Sequence, residues 1–188
     1  MNSSIITIAI IALVCFIVIY IICLFNKLVK ARNRVSTQWA QIDVQLVRRI
    51  NLIPNLVEVV RGYISHEKEL LEKITTARSE LQNACSPMQA MMANNQLSAQ
   101  LTPLLAVAEA YPNLKSDKAF ISLQADLKET EDKIAFARQF YNDTVLIYKN
   151  LINQFPSNLI AKSFHFQDES FYTIDVNIAK FEVGSFNE

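Results

Sequence analysis

Residues Ile5 to Phe25 form an unbroken apolar run with no charge and no proline, in which only Thr7 and Tyr20 carry a side-chain hydroxyl. At a helical rise of about 1.5 Å per residue the run is roughly 32 Å long, the hydrocarbon thickness of a bilayer. A core helix of a small domain would show a polar face, and this run has none. A secretory signal needs a positive start, a shorter apolar stretch and a small-residue cleavage site. Met1-Asn2-Ser3-Ser4 has no charged side chain, and the run ends in Leu24-Phe25-Asn26-Lys27 without an A-x-A pattern or a lipobox cysteine. The expectation is an uncleaved, single-pass membrane helix over 5–25, preceded by a short segment 1–4.

The flanks set an orientation. Lys27, Lys30, Arg32 and Arg34 crowd the carboxyl side of the run, and these four are the candidate membrane-surface contacts. The positive-inside rule then predicts an amino terminus outside a bacterial inner membrane and a cytoplasmic C-terminal domain.

All 18 basic and 18 acidic residues follow the run, so the remainder is close to neutral. No electrostatic footprint for nucleic acid appears, since binding phosphates needs a basic face that counterion release can reward. The three cysteines make no disulfide framework, since Cys15 and Cys23 fall inside the run and Cys85 stands alone. Nor do they make a zinc site, which needs clustered Cys and His ligands. With only Gly62 and Gly184, phosphate-cradling glycine loops are excluded and a turn-rich sheet fold is disfavoured.

The pattern after the run is helical. Val35, Trp39, Ile42, Leu46, Arg49, Ile53, Leu56, Val60, Tyr63, Glu67, Leu70, Ile74, Ala77 and Leu81 step by three and four, with Arg49 and Glu67 as polar exceptions. No Gly or Pro lies between Phe25 and Ile53, so the apolar helix is expected to continue into the first helix of the domain. At Pro54 two arrangements are open: a kinked helix, or a helix ending near Leu52 and another starting at Pro54 in its favoured first-turn position. The second is preferred because it lets the chain fold back. Residues 83–100 read as a mobile connection, with frayed helix as the alternative. Thr102-Pro103 reads as an N-cap and N1 pair starting a short helix through Ala110, which Tyr111-Pro112-Asn113 stops.

Between Lys115 and Phe155 the chain has neither proline nor glycine. Core positions fall at Phe120, Leu123, Leu127, Thr130, Ile134, Ala137, Tyr141, Thr144, Tyr148, Leu151 and Phe155, with Ser116 as the cap. The predicted fold class is all-α: a transmembrane helix, then an up-and-down antiparallel four-helix bundle of coiled-coil-like long helices over 26–155, then an extended aromatic-rich tail over 156–188. Within the tail, Thr173 to Ile178 alternates as a short extended segment would. The tail is expected to lie in a groove of the bundle, the alternative being a peptide that docks on another protein.

Candidate chemistry is sparse. His66 and His165 lack the Glu-x-x-His spacing of a di-iron bundle, and His66 beside Glu67 and Glu69 reads as a solvated face. Glu109 in an apolar context could mark catalysis, but is expected to pair with a neighbouring Lys or Arg or to lie on the exposed face of its short helix. Arg48 and Arg49 lie too far past the span for headgroups and are expected to meet Glu129 or Glu131. Trp39, roughly 20 Å beyond the span, belongs to packing rather than to an interfacial belt. No catalytic, cofactor-binding or metal residue is assigned, and the chain is not expected to be an enzyme.

The blocks Gln38 to Arg49, Leu52 to Glu58, Gly62-Tyr63, His66-Glu67, Leu105 to Pro112, Leu123-Gln124, Thr130-Glu131, Ala137-Arg138, Tyr141-Asn142 and Phe155 to Ala161 occur in the order found in the LemA family, which this chain resembles over nearly its whole length. The resemblance implies a bacterial single-pass membrane protein with a long-helix bundle, no established enzymatic activity and no known cofactor. Some relatives are associated with the formation of bacterial membrane compartments. Two departures stand out: Ala161 to Phe166 where relatives tend to be glycine-rich, and Ile50 where a polar residue is usual. The function expected is a membrane-anchored, non-enzymatic scaffold or protein-interaction module, its partners being membrane lipids through the N-terminal helix and proteins or its own copies through the bundle. The alternative is a membrane-remodelling or lipid-sensing protein acting through the basic juxtamembrane segment.

Overall fold

The computed structural model describes residues 2–64 and 67–173, and all regular structure among them is helical. In chain order the helices are α1 (Asn2–Arg61), α2 (Lys68–Gln82), α3 (Pro87–Ala108), α4 (Pro112–Lys115), α5 (Lys118–Asn153) and α6 (Ser157–Ser163). They divide into two compact units. Of the described residues, the first unit takes 2–42 and 136–171, and the second takes 43–64, 67–135 and 172–173.

The apolar run and the first domain helix are one helix, as expected from the missing breakers. Contrary to expectation, α1 also continues through Pro54. A proline removes the N–H that would bond the carbonyl four residues earlier, here that of Ile50. Arg78 of α2 replaces it: its Nε donates to the Ile50 carbonyl at 3.0 Å. Arg78→Ala should therefore cost about 1–2 kcal/mol by leaving a partly buried carbonyl unpaired. Denaturant unfolding should show that the same substitution costs little in a Pro54→Ala background, where the helix closes its own bond. The chain turns after Arg61, and the register slips with it: Leu71 is buried with Ile74, Ala77 and Leu81, while Tyr63 is largely exposed.

In the second unit, α2 packs on α3. Residues 87–100, expected to be a mobile connection, form the body of α3. Its start is a cap the periodicity concealed: Ser86 Oγ accepts from the Gln89 N–H at 3.3 Å, Gln89 Oε1 accepts from the Cys85 N–H at 2.9 Å, and Pro87 holds the first turn. Thr102 and Pro103 are interior to α3 and do not start a helix. The Thr102 hydroxyl donates back to Ser98 O at 3.1 Å instead of accepting from the next turn. The cap of α5 is Asp117 and not Ser116: its Oδ1 accepts from the Phe120 N–H at 2.9 Å while its Oδ2 accepts from Tyr63 Oη at 2.8 Å. Those two bonds, the Phe120 N–H first, hold the Asp117 carboxyl below the usual carboxylate range.

Arg49, a polar residue in the apolar stripe of α1, is the hub of this unit. Its side chain is 4% exposed; Nη1 donates to Asn94 Oδ1 at 2.8 Å and to Glu131 Oε2 at 2.6 Å. Asn94 Nδ2 in turn donates to Tyr172 Oη at 3.0 Å, and Tyr172 is buried. Burial pulls the Arg49 guanidinium down, and Glu131 opposes it. Arg48 pairs with Glu129 at 2.7 Å and Asp126 at 3.3 Å on the exposed side. The expected carboxylate partners of both arginines are thus found.

The first unit joins the start of α1 to the end of α5. Leu28, Val35 and Ile42 are buried on α1, as are Tyr141, Val145 and Tyr148 on α5, and the half-buried Trp39 meets Tyr141 edge-on at 5.7 Å. The segment after Phe155 is not extended throughout, because α6 forms first. His165 follows it at φ 55°, where Phe166 N–H bonds Ala161 O at 2.9 Å and His165 N–H bonds Lys162 O at 3.3 Å. This closes the helix by the arrangement that prefers glycine, with His165 occupying the left-handed position.

Extended chain then runs along α5. Tyr148 Oη donates to Gln167 O at 2.7 Å and Tyr141 Oη to Ser170 O at 3.0 Å. Seven helical residues and three extended ones both span about 10 Å, so the two hydroxyls meet carbonyls in register. Lys149 adds an ion pair to Asp168 at 2.9 Å and lies 4.9 Å from the Phe171 ring centroid. The described part of the tail therefore packs on its own chain. The alternating stretch from Ile174 onward lies outside the described residues.

Burial, and then the Glu169 carboxylate, push the Tyr141 phenol from 10.0 to about 12. A phenol that ionises later when folded than when unfolded stabilises the fold below its ordinary range and stops doing so as pH rises through the interval. Stability should fall between pH 10 and about 12, and Tyr141→Phe should flatten that fall in an alkaline unfolding titration.

Candidate membrane-proximal site

The four basic residues after the apolar run do not act as one patch. Lys27, Lys30 and Arg34 recur every three or four residues and share a face of α1 with Ala31. With Thr144, Ile147 and Leu151 of α5 they line a groove of about 240 Å³. Arg32 points elsewhere: its guanidinium carbon lies 5.4 Å from the Phe166 ring centroid, toward the tail. Among the described residues, no acidic side chain pairs with Lys27, Lys30 or Arg34. The groove is therefore cationic on one wall and apolar on the other, since the Thr144 hydroxyl already donates to Tyr141 O at 2.8 Å. The α5 wall was not anticipated. Ile147 lies outside the core stripe of α5 and is half exposed.

The same unit exposes apolar groups beside the run. Phe25 meets Phe164 at 4.8 Å and Phe166 at 5.8 Å between ring centroids. Phe164 remains 57% exposed, Leu159 57% and Phe155 79%. Phe155 was expected in the core; α5 ends at Asn153, which carries it off the buried stripe. Further along α5, Phe136 and Phe140 pack edge-on at 4.8 Å yet both face outward.

The other candidates carry no site geometry. Glu109 is exposed and pairs with Lys115, as expected. Cys85 is a free, exposed thiol, His165 is exposed, and His66 lies outside the described residues. Among the described residues no three His, Cys, Asp or Glu side chains group closely enough to hold a metal ion.

Among the described residues one helix is long and apolar enough to cross a membrane, and it continues into a helical body, an arrangement compatible with a single-pass membrane protein. The chain belongs to the LemA family, whose model matches residues 38–183. It is 26% identical over 141 residues to Protein LemA of Metamycoplasma hominis, covering 73% of this chain and 63% of that protein. It is 24% identical over 163 residues to Magnetosome protein MamQ 2 of Paramagnetospirillum magneticum, covering 73% and 60%. To Magnetosome protein MamQ of Magnetospirillum gryphiswaldense it is 23% identical over 180 residues, covering 82% and 66%. The chain thus spans less than two thirds of the length of these relatives.

Proposed function

We propose that the protein is a non-enzymatic scaffold, anchored by the first part of α1 in the bacterial inner membrane, whose helical body holds partner proteins or further copies of itself on the cytoplasmic side. The arrangement of its long helices as an up-and-down four-helix bundle is part of this proposal. The observation that carries it is the Phe136–Phe140 pair, two aromatic rings fixed against each other and 64% and 46% exposed. Exposed aromatics held rigid lose little entropy on docking and are the side chains that dominate protein interfaces. The relatives named magnetosome proteins belong by name to a cellular body, and membership of an assembly is what we carry over. Site-specific photocrosslinking from positions 136 and 140 tests it.

The cytoplasmic placement rests on Lys27, Lys30, Arg32 and Arg34. An impermeant thiol reagent checks it at the exposed Cys85, which should react only after the membrane is opened. A second reading, lipid sensing through the basic segment, is favoured by the cationic groove and is developed next.

A further inference from the structure

We infer that the groove between α1 and α5 is a binding site for one anionic phospholipid, with Lys27, Lys30 and Arg34 holding its phosphate, Ile147 and Leu151 packing against its glycerol backbone, and Phe155 and Leu159 beyond the groove against its acyl chains. The inference deepens the lipid reading above and rests on α1 crossing a bilayer.

Counting about 1.5 Å per residue from Phe25, Lys27 stands roughly 3 Å beyond the apolar run, Lys30 about 8 Å and Arg34 about 13 Å. Headgroups occupy about 5–8 Å on each side of the hydrocarbon. Lys and Arg stems reach back toward that layer while keeping their charges wet, so all three cations converge on the phosphate plane.

Charge comes next. Three cations facing one groove without an acidic partner among the described residues repel one another, and a phosphate is the counter-charge this level of the membrane supplies. Arg guanidinium and Lys ammonium groups both suit it, the first through paired N–H bonds and the second as a point charge.

The apolar wall completes the fit. Leu151 lines the groove with Lys27, and α5 runs antiparallel to α1 in this unit, since Trp39 meets Tyr141 while Lys27 shares its groove with Leu151. The chain beyond Leu151 therefore descends beside the last turns of the apolar run. There Phe155, Leu159 and Phe164 are exposed, and Phe164 touches Phe25. Water at that depth would meet the exposed surface of three large apolar side chains; lipid tails cover it. A soluble anion explains the cations but not this wall.

The test uses the full chain, first shown to resist alkaline extraction from membranes so that failure of insertion is seen separately. Native mass spectrometry of the detergent-solubilised protein then compares retention of phosphatidylglycerol with phosphatidylcholine. The wild type should prefer phosphatidylglycerol. Lys27→Gln, Lys30→Gln and Arg34→Gln together should reduce that preference on the order of 100-fold, whereas Arg32→Gln should leave it nearly unchanged. Excess inorganic phosphate should not displace the bound lipid. A triple variant that retains phosphatidylglycerol like the wild type would overturn the site. So would an Arg32→Gln loss equal to that of the triple variant, which would mean a diffuse basic segment without a groove. Displacement by inorganic phosphate would overturn the lipid as occupant.

Discussion

Glu131→Ala is expected to destabilise the second unit by about 3 kcal/mol, more than removal of its partner does. The asymmetry follows from where each charge sits. Glu131 is 47% exposed, so its carboxylate retains water when Arg49 is absent; Arg49 is 4% exposed and keeps a full charge in the interior when Glu131 is absent. Asn94 and the Tyr172 phenol then face the guanidinium, and neither neutralises its charge. Arg49→Met, which fills a similar volume without a charge, should cost less, and adding it to Glu131→Ala should recover most of the loss. Hydrogen exchange at the α3 and α5 amides around Asn94 and Glu131 provides the measurement. Equal costs for the two single substitutions would mean that the buried charge is not what the carboxylate stabilises.

The second large effect is expected at Tyr148, which is wholly buried and donates to the carbonyl of Gln167. Tyr148→Ala removes an aromatic ring from the first unit and should cost about 3–5 kcal/mol, within the range for large-to-small aromatic substitutions. Tyr148→Phe keeps the ring, loses one hydrogen bond and should cost about 1 kcal/mol. Trp39, the only tryptophan, sits on Tyr141 in this unit, so its fluorescence reports unfolding there directly. Hydrogen exchange along residues 167–171 should rise in the alanine variant and much less in the phenylalanine variant, because ring packing holds the strap more than its hydroxyl does.

The long helices were legible because their buried residues are large and periodic. Leu46, Ile53, Leu56, Leu127, Ile134 and Tyr148 all lie where the spacing placed them. α3 was not legible, because Ala90, Ala93 and Asn94 face inward and small or polar residues erase an apolar stripe. The signal it did carry was Ser86 three residues before Gln89, a capping pattern that periodicity ignores. Pro54 misled for a different reason: the group that satisfies the Ile50 carbonyl belongs to α2, 28 residues away, and no local pattern contains it. At the candidate site the sequence supplied four adjacent basic residues. Sorting them needed the helix face and the two elements packed against it, which send Arg32 to Phe166 and the other three to the groove.

Photocrosslinking in intact cells tests the scaffold proposal most directly. The chain is produced with a photoreactive amino acid at position 136 or 140, and with the same group at the exposed Asn150, about 15 Å further along α5, as the control. Discrete crosslinked species are expected from positions 136 and 140, identified as the same partner or as a second copy of this chain, and none of them from position 150. A crosslink pattern at 136 and 140 no different from that at 150 would contradict the proposal.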